Sequence, residues 1–255
     1  MASKEEVLRQ LIEMSHWLGE ESRGLAILGE GNTSARITDD TFYVKASGTQ
    51  LSTIAAEGFV EVHAPKVLAM LEGPALSDEE IKQTLRSAMV EPSGEYLPSI
   101  ETLFHAYLLS LPGVSFIGHT HPVSVSGILC SKGWREVTRQ RVFPDEIVCC
   151  GPRPAYVKYV DPGVPLARAI RDSVKQFIDE ESERPRAILM QNHGLIALGS
   201  TPKEVQGVSA MWDKTAKILA ATFRFGGPNY LSDAHVSRIH TRPDEEQRKK
   251  LIDGH

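Results

Sequence analysis

Gly29-Glu30-Gly31-Asn32-Thr33-Ser34-Ala35-Arg36-Ile37 is the stretch on which the fold turns. Its Gly-x-Gly opening is shared with the phosphate loop of a dinucleotide-binding β-α-β unit. That unit needs a strand before the loop, a helix after it, and glycine or alanine at the sixth position. Here the sixth position is Ser34, and Ser34-Ala35-Arg36-Ile37 alternates polar and apolar residues as a strand does. A strand after the loop excludes the doubly wound arrangement. The loop keeps the means to cradle an anion, through its backbone N–H groups and the Asn32 amide.

Upstream, residues 3–19 carry Val7, Leu8, Leu11, Ile12 and Leu18 at helical spacing. Downstream, Thr33–Thr38 and Phe42–Lys45 read as short strands across the turn residues Asp39 and Asp40, and Phe59–Val62 reads as a third. Helices are expected over 65–72 and 78–89, and from an N-cap at Ser99 through Leu103, Phe104, Tyr107, Leu108 and Leu111. A strand at Val114–His119, a helix over 123–130 and short strands within Cys149–Val160 follow. The remaining expectations are a helix over 163–181, strands at Ala187–Gln191 and Leu195–Leu198, and a helix over 202–224. The mixture lacks strict β-α-β alternation, so a layered α/β domain with a substantially antiparallel sheet fits best. No linker or repeat divides the 255 residues, which are expected to form one domain with a polar tail from about 228, as a short helix or an arm.

The 28 basic and 33 acidic residues leave a net charge of −5, which argues against a nucleic-acid partner. No apolar run approaches membrane-spanning length and the charged N-terminus does not read as a signal peptide. Cys130, Cys149 and Cys150 are an odd, badly spaced set for a disulfide framework, so a cytoplasmic setting is expected.

The chemistry lies in the histidines. Gly118-His119-Thr120-His121-Pro122 ends an expected strand, where alternate side chains share a face, so His119 and His121 point the same way. Alone, the pair is either two metal ligands or two surface histidines beside a turn. Gln191-Asn192-His193-Gly194 delivers a third histidine at a strand end. Three histidines without a fourth ligand suit a catalytic zinc site with an open position. Manganese or cobalt would substitute; magnesium, which prefers oxygen ligands, is a poor fit. His105, four residues after Glu101, reads either as support for such a site or as a half-buried helix histidine. Lys45-Ala46-Ser47-Gly48-Thr49 and Pro98-Ser99-Ile100-Glu101 are further anion-loop candidates, each equally an ordinary turn or cap.

With the ordered series Gly31-Asn32-x-Ser34, Ser47-Gly48, Pro98-Ser99-x-Glu101, His119-x-His121-Pro122 and His193-Gly194, the chain from about residue 4 to 225 resembles the class II aldolase/adducin family of zinc-dependent sugar-phosphate aldolases related to fuculose- and rhamnulose-phosphate aldolase. The resemblance implies a single three-layer α/β/α domain with a mainly antiparallel sheet, assembled as a C4 homotetramer with active sites near subunit boundaries. It implies His119, His121 and His193 as zinc ligands, Glu101 as the acid/base carboxylate, and Asn32, Ser47, Gly48 and Ser99 as the grip on the substrate phosphate. Through the thin pattern Tyr159, Gly163 and Pro165, it implies Tyr159 as a catalytic tyrosine donated across a subunit boundary. The implied reaction is reversible aldol cleavage of a small ketose, a ketose 1-phosphate, through a zinc-stabilised enediolate. One departure stands out: the family commonly has Ser-Ser before the glutamate, and this chain has Ser99-Ile100. That departure keeps 4-epimerisation and decarboxylation of a 3-oxo sugar acid phosphate open as alternatives, with Lys45 as a compensating cation. A non-enzymatic adducin-like role is the remaining alternative, and retention of all three histidines counts against it.

Overall fold

A computed structural model describes residues 3–74 and 76–254 of the chain. Its centre is a seven-stranded sheet of β1 (Asn32–Arg36), β2 (Thr41–Lys45), β3 (Phe59–His63), β4 (Phe116–Thr120), β5 (Ala155–Val157), β6 (Ala187–Met190) and β7 (Gly194–Gly199). The strands lie in the order β3-β2-β1-β4-β7-β6-β5, and every neighbouring pair is antiparallel except β5 with β6. The stretch after Gly31 is thus a strand, paired on both sides, as its alternation requires.

The helices among the described residues are α1 (Lys4–Leu18), α2 (Ala64–Glu72), α3 (Asp78–Ala88), α4 (Thr102–Leu109), α5 (Val123–Leu129) and α6 (Trp134–Arg139), then α7 (Pro144–Cys150), α8 (Val164–Glu181), α9 (Pro202–Thr222), α10 (Asp233–His240) and α11 (Pro243–Asp253). They cover the sheet on both faces because its central strands are apolar on both sides. Along β7, Ile196 and Leu198 join a core built with α2, α3, α4 and α8. Leu195 and Ala197 point the opposite way, into a core built with α1, α5, α7 and α9. The result is the expected three-layer α/β/α architecture with a mainly antiparallel sheet.

Three local expectations are corrected. Within Cys149–Val160 only Ala155–Val157 is a strand, and Cys149 and Cys150 end helix α7. Pro144 fixes the first turn of α7, and Asp145 and Glu146 suit its positive end, which overrides the strand-like Ile147-Val148 pair. Ser99 does not cap α4 directly. Its hydroxyl accepts from the Glu101 N–H at 3.2 Å in a preceding turn, and Glu101 itself occupies the cap position. The polar tail, finally, forms two helices, α10 and α11, and α11 packs on α7 and α9.

A buried charge network helps anchor that tail, beside apolar contacts from Val236 and Ile252. Buried Arg186 reaches both carboxylate oxygens of Asp253 at 2.7 Å and also Glu204 at 3.0 Å. Asp253→Ala is expected to cost about 1–3 kcal/mol, because it strips a charged partner from a buried guanidinium. Limited proteolysis is the check, with new cleavage expected around Arg242–Lys250.

Candidate metal centre

β4 lies at the middle of the sheet, between β1 and β7. His119 near its end is fully buried and faces Asn32 across the β1 pairing and Ile196 across β7. His121 follows just past the strand, its N–H donating to the Leu25 carbonyl at 2.9 Å. His193 sits in the tight turn between β6 and β7, where Asn192 takes a left-handed φ of 54°. One nitrogen from each ring falls in a group whose members all lie within 4.8 Å of one another.

Two glycines make this approach possible. A Cβ on Gly31 would lie 2.5 Å from the His119 carbonyl oxygen, and one on Gly194 would lie 2.6 Å from His121 Cδ2 and from the Thr120 carbonyl oxygen. Gly194→Ala is therefore expected to destabilise the fold by about 1–3 kcal/mol and to push the His121 ring off its position. Metal content after dialysis should fall together with the melting temperature.

The hydrogen bonds prepare the rings for a metal. His119 Nδ1–H donates to the Leu195 carbonyl at 3.0 Å, and His121 Nδ1–H donates to Glu30 Oε2 at 3.2 Å. Such partners fix the tautomer and leave Nε2 as a lone pair. The two Nε2 atoms then face each other at 3.0 Å. Facing lone pairs at that distance repel unless a cation lies between them, so the donor set fits a divalent metal held by three neutral imidazoles. Burial pushes the His119 imidazole down to about 3, aided by His121 and His193 and opposed by Glu101. Burial and the neighbouring His193 likewise lower His121. Neutral rings are what metal ligation requires.

Glu101, at the start of α4, supplies the negative charge beside this group. Its Oε1 lies 3.3 Å from His193 Nε2 and its Oε2 lies 3.6 Å from His119 Nε2. Burial alone would raise this carboxyl, but His119, His193 and the Asn32 amide outweigh it and hold the group well below the usual carboxylate range.

The anion-loop candidates gather beside α4. Ser47 N–H donates to the Leu97 carbonyl at 2.9 Å and Ala46 bridges to Pro98, which sets the Ser47-Gly48 turn against Ser99. Lys45, only 4% exposed, ends β2 with Nζ 3.4 Å from the Gly29 carbonyl, and burial lowers its pKa against the pull of Glu101. Asn32 turns its amide nitrogen to Glu101 Oε2. Tyr159 stands apart. It is 55% exposed, its hydroxyl donates to Asp161 at 3.1 Å, and only its backbone N–H, bonded to Gln191 Oε1, ties it to the turn bearing His193.

One contributor escapes a reading of the sequence and another is only half-read. Glu30 lies in the glycine loop, but 91 positions from the histidine it orients, and its spacing gives no sign of that partner. His105 is completely buried, with both ring nitrogens engaged. Its spacing from Glu101 is the one signal that pointed to it. Burial pushes the His105 imidazole down to about 3, with Glu101 opposing. The unfolded chain, with an ordinary histidine near 6.5, then binds more protons than the folded one between those values. Stability is accordingly full above pH 6.5 and lost as pH falls below it, by at most about 1.4 kcal/mol per unit for this group. Comparing the melting temperatures of His105→Gln and the parent between pH 7 and 5 should show a shallower acid decline in the variant.

Comparison with known proteins fits this geometry. The family described as "Class II Aldolase and Adducin N-terminal domain" matches residues 9–220. An uncharacterized oxidoreductase, YuxG, of Bacillus subtilis (strain 168) is 29% identical over 97% of this chain, but the chain spans only 34% of that protein's length. A methylthioribulose-1-phosphate dehydratase of the same organism is 28% identical over 82% of this chain and 89% of its own. A 3-oxo-tetronate 4-phosphate decarboxylase of Haemophilus influenzae is 23% identical, over 86% and 90%. Among solved structures, an L-fuculose 1-phosphate aldolase shares the fold with a TM-score of 0.68 at 21% identity, covering 94% of this chain and 96% of its own.

Proposed function

The chain belongs to the class II aldolase and adducin N-terminal domain family, and on that premise we propose that it is a metal-dependent carbon–carbon lyase that reversibly cleaves a small ketose 1-phosphate beside its carbonyl. The observation that carries this reading is the placement of an ionised carboxylate, Glu101, against two of three converging imidazoles. A divalent cation held by His119, His121 and His193, for which we propose zinc, would supply stabilisation of the enediolate left when the carbon–carbon bond breaks.

The chain's own groups have distinct tasks in this reading. In synthesis Glu101, as the carboxylate, removes the proton from the donor carbon; in cleavage the carboxyl, protonated from solvent, returns that proton to the enediolate carbon, and Asn32 holds the group in place by donating to Oε2. Ser47, Gly48, Ser99 and Asn32 grip the phosphate through N–H, hydroxyl and amide donors, with Lys45 adding positive charge nearby. In synthesis Tyr159 gives its hydroxyl proton to the aldehyde oxygen, and in cleavage the tyrosinate takes that proton back from the hydroxyl on the bond-breaking carbon. Its exposed side chain supports donation to a neighbouring subunit's site, within a homotetramer. The three unpaired cysteines support a cytoplasmic setting, and no helix among the described residues is long and apolar enough to cross a membrane.

A second reading has a specific residue in its favour. Ile100 contributes no hydrogen bond where the family commonly has a serine, which suits a substrate gripped differently, such as a 3-oxo sugar acid phosphate losing CO₂. Epimerisation at C4 would use the same groups. A screen of ketose 1-phosphates and 3-oxo acid phosphates, followed for aldehyde and CO₂, separates the readings. Aldehyde without CO₂ is expected; release of CO₂, or loss of water from an otherwise intact ketose, would overturn the aldolase.

A further inference from the structure

Behind Glu101 and Asn32 the line of buried polar side chains continues to Ser34 and His105, which the proposed chemistry leaves without a task. Asn32 is 4% exposed, and Ser34 and His105 are not exposed at all. Asn32 Nδ2 donates to Glu101 Oε2, Asn32 Oδ1 meets His105 Nε2, and His105 Nδ1 meets Ser34 Oγ at 2.6 Å. Asn32 and Ser34 are alternate residues of β1, on one face of the strand, while Glu101 and His105 lie at the cap and within the first turn of α4. The four groups therefore lock a strand to a helix through side chains alone.

The direction of every bond in this line follows from one contact. The Asn32 amide presents its nitrogen to the Glu101 Oε2 acceptor. The Asn32 oxygen is then left facing His105, whose Nε2 must carry the proton. A neutral ring protonated at Nε2 has a bare Nδ1, which accepts from the Ser34 hydroxyl. Burial keeps this ring neutral, so it cannot donate from both nitrogens.

We propose that His105 is a positioning residue for the reaction: through the Asn32 amide it fixes the plane of the Glu101 carboxylate, tying back Oε2 and leaving Oε1 for proton transfer. A freely rotating Asn32 could swap its oxygen for its nitrogen and repel the carboxylate, and the Nε2-protonated His105, which offers no acceptor there, opposes that swap. The Nδ2 atom of Asn32 has a second hydrogen, so support of Glu101 and contact with a substrate anion are compatible. This inference rests on Glu101 being the acid/base group of the proposed lyase.

Two experiments test it, the first of them separately from that reaction. Imidazole ¹⁵N spectra of the full chain are expected to show His105 as a single Nε2-protonated tautomer. In Glu101→Gln, whose amide can offer either atom to Asn32, the Nδ1-protonated form is expected to appear alongside it. An Nδ1-protonated ring in the parent, or an unchanged single tautomer in the variant, would overturn the relay, and neither reading depends on turnover. For turnover, His105→Gln places an amide nitrogen near the Nε2 position and keeps the donor to Asn32, whereas His105→Asn reaches only the Nδ1 position. The expected result is a kcat within about threefold of the parent for His105→Gln. For His105→Asn we expect a loss of at least about tenfold in kcat, with KM little changed. Equal losses in both variants would make His105 a packing residue only.

Discussion

His119→Ala is expected to empty the metal site and lower kcat/KM by at least about a thousandfold, a loss of about 4 kcal/mol in transition-state stabilisation. Three features make this variant the most damaging. The ring is fully buried, so no outside group can replace it. Its Nδ1 is committed to the Leu195 carbonyl, which aims Nε2 at the other two histidines without freedom to wander. And two neutral imidazoles remaining from His121 and His193 hold a divalent ion far less tightly than three. Elemental analysis of the purified protein should show near-stoichiometric metal in the parent and little in His119→Ala or in the double variant with His121→Ala. Exposed His235, replaced in the same way, should leave the metal in place. Full metal retention in His119→Ala would remove the basis of the proposed function.

Glu101→Gln should separate chemistry from metal binding. The amide is nearly isosteric with the carboxylate and the three histidines are untouched, so metal content should stay close to that of the parent. Proton transfer is lost, and kcat should drop by about 10²–10⁴-fold. The contrast with His119→Ala is the informative part, because one variant loses the ion and the other keeps it while both stop turning over. A Glu101→Gln enzyme within tenfold of the parent rate would show that the proton comes from another group, and Tyr159 would be the next to examine.

Much of this arrangement can be read along the chain, and the exceptions have physical causes. Strand β1 announces itself by alternation after Gly31, and His119 and His121 by their spacing, because a period of two residues survives in any tertiary setting. Helix α7 does not announce itself. Its Ile147-Val148-Cys149-Cys150 run has strand-like composition, and the Pro144 start together with packing against α9, α10 and α11 settles the matter. The tail beyond 228 looks like a solvent-facing arm because its composition is polar, yet a few buried groups, Asp253 and Val236 among them, tie it to the core. His105 and Glu30 show the sharper limit. Local spacing identifies residues that act from one element, whereas their partners Ser34 and His121 lie 71 and 91 positions away.

The sheet order has a consequence for how the molecule is made. Asn32 and His119 become neighbours only when β1 pairs with β4, and His193 joins them only when β7 pairs with β4. Both pairings close long stretches of chain, which is the slow kind of step in folding. No metal-ready trio exists on the nascent chain until residue 193 has left the ribosome and the two halves of the sheet have met at β4. The ion can therefore act as a latch on a finished sheet but not as a nucleus for it, and refolding with and without metal should share the same early rate while differing in how often the final state reopens.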